Sequence, residues 1–132
     1  MSVFSTTDSH FNTIKFSFIF NGSSRRFGQR SQKGTGDAPF GFYTYQSTEG
    51  GNYDFRSKRK AGAPAYGAGV VVLKEQAGEV KEFGRDGVFI HGGGTNSPTP
   101  FAPNQGLYPT HACIRVLNQD IIALIGAINN HY

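Results

Sequence analysis

Gly87-Val88-Phe89-Ile90-His91-Gly92-Gly93-Gly94 is the stretch from which the fold is read. Its apolar run, closed by a histidine and bounded by glycine on both sides, is short and rich in β-branched and aromatic residues. A run of this kind suits a central strand covered on both faces, since neither face keeps a polar row for solvent. Upstream, Gly69-Val70-Val71-Val72-Leu73-Lys74 is a second short strand, followed by a polar turn over residues 75–79. Residues 80–85 either pair with that strand or connect it onward. Downstream, Pro98, Pro100, Pro103 and Pro109 exclude a helix from residues 92–109, because each lacks an amide donor and clashes with the preceding turn. Residues 92–109 therefore form a long loop, after which Cys113-Ile114-Arg115-Val116 returns to a strand. Asn118 then has the place of a helix cap, with Asp120 in the first turn and Ile121, Ile122, Leu124, Ile125 and Ile128 along one face. Gly126 weakens this helix, and Asn129-Asn130 is expected to end it.

Working toward the other terminus, residues 47–68 are irregular and contain Gly50-Gly51 and the basic run Arg56-Ser57-Lys58-Arg59-Lys60. A long loop in a small domain often has a functional use. Before it, Gly41-Phe42-Tyr43-Thr44-Tyr45-Gln46 alternates as a strand, and residues 29–40 are polar and glycine-rich. Thr13-Ile14-Lys15-Phe16-Ser17-Phe18-Ile19-Phe20 alternates with period two, and Asn21-Gly22 after it is a strong hairpin signal, so residues 23–28 are expected as the return strand. Five or six short runs separated by turn signals, with one periodic segment at the end, give a mainly β fold with a single C-terminal α-helix.

With 132 residues the chain has room for one domain and one core. Eighteen glycines and an aromatic content of 14% favour strands and tight turns over helices. The single cysteine excludes an intrachain disulfide. A net charge of +4 is modest, and the basic run reads as a solvated loop, so no nucleic-acid partner is expected. Residues 1–8 lack a basic start followed by an apolar run, so no signal peptide is visible, and the apolar stretch 121–128 is too short to span a bilayer.

The chemistry gathers around the one thiol, in Tyr108-Pro109-Thr110-His111-Ala112-Cys113-Ile114-Arg115-Val116. A thiol is mostly protonated at neutral pH, and only the thiolate attacks carbonyls well. An imidazole within reach can take that proton, and His91 or His111 can supply it. Arg115 offers a planar fork able to hold a carboxylate with two parallel bonds. A lone cysteine is otherwise an inert small core residue, and an arginine is otherwise a surface ion pair. His91, His111 and Cys113 also have the ligand types of a zinc site, but His-x-Cys lacks the usual ligand loop, and no metal or other cofactor is expected.

His91, followed after residues 92–109 by Thr110-His111-Ala112-Cys113-Ile114-Arg115, with Gly92 directly after the histidine, resembles the signature of the YkuD-type L,D-transpeptidases. The spacer is slightly longer than is usual there, and Ala112 stands where that family usually has glycine. If the backbone needs positive φ at Ala112, the methyl strains it by about 1 kcal/mol or more, and otherwise it is nearly harmless. Ala38-Pro39-Phe40-Gly41-Phe42-Tyr43 is similar to a further element of the same family, in the family's order. The resemblance runs from about residue 13 to the C-terminus.

It implies a curved, sandwich-like β fold and an acyl transfer through a thioester on Cys113, with His91 as the base. It also implies a backbone carbonyl near Gly92 that orients the imidazole. His111 would shape the site, amides around Ala112 and Cys113 would hold the oxyanion, and Arg115 with Thr110 would bind substrate. The implied partners are the tetrapeptide stems of peptidoglycan, met by a monomer in the periplasm or cell wall, and a cationic chain suits that anionic polymer. Alternatives on the same fold are an L,D-carboxypeptidase, a secreted effector that attacks a competitor's wall, and a non-catalytic peptidoglycan-binding module.

Overall fold

A four-stranded sheet positions the site in the computed structural model of the protein. The described residues are 2–8, 13–19, 38–51, 61–108, 110 and 113–131, with side chains from residue 38 to 130. Its strands are β3 (Phe42–Gly50), β4 (Gly69–Ala77), β5 (Phe89–His91) and β6 (Ile114–Arg115). β4 runs antiparallel to β3 on one side and to β5 on the other, with Val70 opposite His91 and Val72 opposite Phe89. The valines of β4 supply the branched side chains that a covered strand packs well, and Val70 and Val71 are almost completely buried. The strand continues through residues 75–77, which the sequence assigns to a turn, because β3 pairs with it as far as Ala77. A single turn of helix, α1 (Glu79–Glu82), then opens the link from β4 to β5, so residues 80–85 connect the strands rather than pair with β4.

β5 is central, as its apolar run implies, although only His91 in it is fully buried and Phe89 and Ile90 are half-buried. Its other neighbour is β6, which runs parallel to it with Ile90 opposite Ile114 and His91 opposite Arg115. Parallel neighbours cannot be joined by a tight turn and need a crossover of a dozen or more residues. Residues 92–113 are that crossover, and among the described ones none belongs to a helix or a strand.

The C-terminal helix, α2 (Asn118–His131), outlasts Asn129-Asn130 by a residue. Ile121, Leu124, Ile125 and Ile128 recur at helical spacing and pack with Ala68, Val71 and Val116 into one core. Each such aliphatic side chain, buried in full, contributes about 1.5–3 kcal/mol. Gly51 and Gly69 let the helix approach the sheet, since a Cβ on either would lie 2.6 Å from Ile125.

One expectation needs correcting. Asn118 is not a helix cap: the amides of Asp120 and Ile121 bond to the Leu117 carbonyl instead, and the Asn118 side chain points into the interior, fully buried. The amides of Asn118 and Gln119 are met from outside the helix, by Gln105 Oε1 at 2.8 Å and the Pro103 carbonyl at 3.0 Å. At the other terminus, β2 (Thr13–Ile19) is the expected strand, and it pairs antiparallel with β1 (Ser2–Asp8), a segment not expected as a strand from the sequence. Val3, Phe4, Thr6 and Thr7 give that first segment ample β-forming character. The expected return strand at 23–28 and the turn before it lie outside the described residues. Among the described residues no helix is long and apolar enough to cross a membrane.

Candidate active site

His91 closes β5, and its backbone is held on both sides: its carbonyl accepts from Val116 N at 2.9 Å, and Gly92 N donates to the Gly69 carbonyl at 3.4 Å. The side chain is 3% exposed, and the edge of the Tyr66 ring meets it at 4.8 Å between centroids. Nδ1 lies 2.7 Å from the Gly92 carbonyl oxygen. A carbonyl only accepts, so the neutral ring carries its proton on Nδ1 and presents a lone pair at Nε2. Burial pushes the imidazole down to about 4; the Gly92 hydrogen bond opposes that shift and the nearby Arg115 charge adds to it. At neutral pH the ring is therefore uncharged.

Arg115 sits directly across the parallel pair from His91. The sequence assigns its fork to a substrate carboxylate. In the structure the residue is 5% exposed, and three of its nitrogens point at main-chain carbonyls. Nη1 donates to Tyr108 O at 2.7 Å, Nη2 to Ala65 O at 3.1 Å and Nε to Gly92 O at 3.4 Å. The guanidinium thus ties together three chain segments that meet beside His91. Burial lowers its proton affinity, and attraction to Cys113 opposes that effect. The attraction is mutual, so the same buried cation favours negative charge on the sulfur.

Cys113 is half-buried, one residue before β6. Its Sγ lies 3.8 Å from the Gly87 carbonyl, beside the chain leading into β5, whereas His91 stands at that strand's far end. Thr110 is buried, and its hydroxyl donates to the Cys113 carbonyl, fixing the chain around the thiol rather than facing outward. Gly92 supplies the carbonyl shared by His91 and Arg115. His111 and Ala112 lie outside the described residues.

Sequence reasoning missed two buried amides behind this wall. Asn118 Oδ1 accepts from Ala68 N and Gly93 N, both at 3.1 Å, and Nδ2 donates to the Pro100 and Ala102 carbonyls at 2.8 and 2.7 Å. Both acceptor positions and both donors are used, the full capacity of an asparagine. Gln105 Nε2 donates to Gly93 O at 3.1 Å and Val116 O at 2.9 Å, while Ser97 Oγ donates to the Gln105 carbonyl at 2.8 Å. The glycines beside them leave the necessary room: a Cβ on Gly92 would stand 2.2 Å from Asn118 Oδ1, and one on Gly67 2.3 Å from it. Glycines at 67 and 92–94, within reach of a polar residue that opens an apolar helix, were the available signal, but nothing local distinguishes that residue from a cap.

A thiol beside a buried cation, and a neutral imidazole with its tautomer set by a carbonyl, are the parts needed for nucleophilic acyl transfer. Comparison with known proteins agrees in kind. The family model described as YkuD, L,D-transpeptidase catalytic domain, matches residues 12–130, nearly the whole chain. No curated protein and no solved structure matches it.

Proposed function

The chain belongs to the YkuD family of L,D-transpeptidase catalytic domains, and on that premise we propose that it is a peptidoglycan L,D-transpeptidase with Cys113 as nucleophile. The Cys113 side chain turns from the Gly87 carbonyl toward the His91 end of β5, the sulfur attacks the carbonyl of the diamino acid in a tetrapeptide stem, and the thiol proton passes to Nε2 of His91. The bond to the terminal D-alanine then breaks, its nitrogen takes the proton back from the imidazolium, and a thioester remains on Cys113. The side-chain amine of a neighbouring stem attacks that thioester, gives up one proton to His91, forms the new amide and releases the sulfur, which takes that proton back as the thiol. Amides near Ala112 and Cys113 hold the oxyanion, a contribution typically of about 3–4 kcal/mol per donor, and His111 shapes the same pocket. Such a substrate lies in the periplasm or cell wall.

What supports these roles is the state of His91. A base with a proton affinity this low rests empty at neutral pH, with Nε2 free because Nδ1 is held by Gly92. Proton transfer then accompanies attack instead of preceding it, since burial and Arg115 both disfavour a standing imidazolium. Arg115 acts from inside the wall, as a positive charge beside the sulfur and a clamp on Gly92, and Thr110 holds the main chain of the nucleophile.

Purified muropeptides incubated with the protein and resolved by mass provide the test. Loss of D-alanine with cross-linked or amine-exchanged products is expected, and Cys113→Ser should abolish both while leaving the circular dichroism spectrum unchanged. Product that is only the shortened tripeptide would mean that water resolves the thioester. Undiminished turnover by Cys113→Ser would end the covalent mechanism.

A further inference from the structure

The peptide unit between Gly92 and Gly93 is held at both poles. On its carbonyl side, Gly92 O receives His91 Nδ1 at 2.7 Å and Arg115 Nε at 3.4 Å. On its amide side, Gly93 N donates to Asn118 Oδ1 at 3.1 Å. A trans peptide is planar, and its C=O and N–H point in opposite directions, so fixing the N–H also fixes where the carbonyl points. From this geometry we propose that Asn118 is a positioning residue for His91: through one peptide plane it aims the carbonyl that holds the proton on Nδ1 and keeps Nε2 open.

Several features single out Asn118 for this work. It is completely buried, and its other three bonds, to Ala68 N, Pro100 O and Ala102 O, leave its amide a single orientation. Gly93 is held a second time, through its carbonyl, by Gln105. Its φ of +71° is a left-handed conformation that side-chain-bearing residues rarely adopt. Gly92 has no such need of positive φ. Its hydrogen is required because a methyl there would collide with Asn118 Oδ1 at 2.2 Å. The glycine after the histidine is thus explained by the asparagine that opens α2, a residue 25 positions beyond the amide it holds.

The role of Asn118 in turnover rests on His91 being the base, and the test separates the two ideas. Nitrogen-edited NMR of the imidazoles is recorded for the wild type, for Asn118→Leu, which removes every polar atom, and for Asn118→Asp, which keeps the acceptor oxygen. The wild type should show His91 with its proton on Nδ1, and a Gly93 amide protected from hydrogen exchange. Asn118→Leu should give a mixed tautomer and a kcat lower by about 10²-fold, the scale of a small misplacement at a reacting centre, with KM little changed. Asn118→Asp, which keeps the acceptor for Gly93 N but loses both donors, should retain more of the Nδ1 tautomer and of kcat than Asn118→Leu. A wild-type imidazole signal in folded Asn118→Leu would overturn the proposal. If Asn118→Leu does not fold, an unprotected Gly93 amide in the wild type would overturn it equally. A changed tautomer with unchanged turnover would uphold the positioning of His91 and refute its role as base.

Discussion

Two buried regions lie on either side of the β4–β5–β6 sheet segment, and they are held together by different physics. Beneath α2, Val71, Val116, Ile121, Leu124, Ile125 and Ile128 touch one another through apolar surface. Around His91, Asn118, Gln105 and Arg115 are as deeply buried, but they pack by directed hydrogen bonds onto bare main chain. Apolar burial is non-directional, so one aliphatic shape can stand in for another of similar volume. A buried amide or guanidinium has no such latitude, because every partner left behind keeps its desolvation cost. The difference explains how a crossover whose described residues form neither helix nor strand can hold an aimed imidazole: its order comes from side-chain bonds to the loop rather than from a ladder.

The largest effect expected to separate the two regions comes from replacing shape-matched residues. Gln105→Met keeps the volume but strands Asn118 N, Gly93 O and Val116 O, and should cost about 4 kcal/mol at about 1–3 per stranded group. Urea unfolding measures it, and a loss below about 1 kcal/mol would mean that the wall is not held by these bonds.

Acid probes the wall alone, since the apolar core has no proton to gain. The His91 imidazole is depressed from 6.5 to about 4 in the folded chain. Between those values the unfolded chain binds more protons, so stability is complete above about pH 6.5 and falls as pH drops toward 4. The stability difference between wild type and His91→Gln should therefore shrink by about 3 kcal/mol from pH 7 to pH 4. A difference that stays constant across that range would mean that His91 is not desolvated.

The smallest effect belongs to the apolar side. Ile121→Leu conserves volume at a fully buried position and should cost less than about 1.5 kcal/mol, with turnover unchanged. A loss as large as that of Gln105→Met would erase the contrast between the regions.

Much of this arrangement can be read along the chain. The run ending at His91 announces a central strand, the valines of β4 announce its neighbour, and isoleucines at helical spacing announce α2. The thiol, the histidines and the arginine are evident as residue types, and their order carries the family resemblance. Harder to read were residues whose local and distant roles look alike. Asn118 has the sequence setting of a cap, Gln105 sits among proline and glycine like any exposed loop residue, and Arg115 looks free to bind an anion.

What the sequence by itself determined, then, are properties set by near neighbours: periodicity, the breaking of helix by proline, and which groups can titrate or attack. The tertiary structure alone decided the parallel pairing of β5 with β6, the choice of β1 as partner for β2, and the partners of the buried polar groups. The reason is distance along the chain: Asn118 meets Ala68, and Arg115 meets Ala65, each 50 residues away. Local preference cannot select among so many equivalent carbonyls and amides; only closure of the fold brings one within reach and removes the water that would otherwise bond to it.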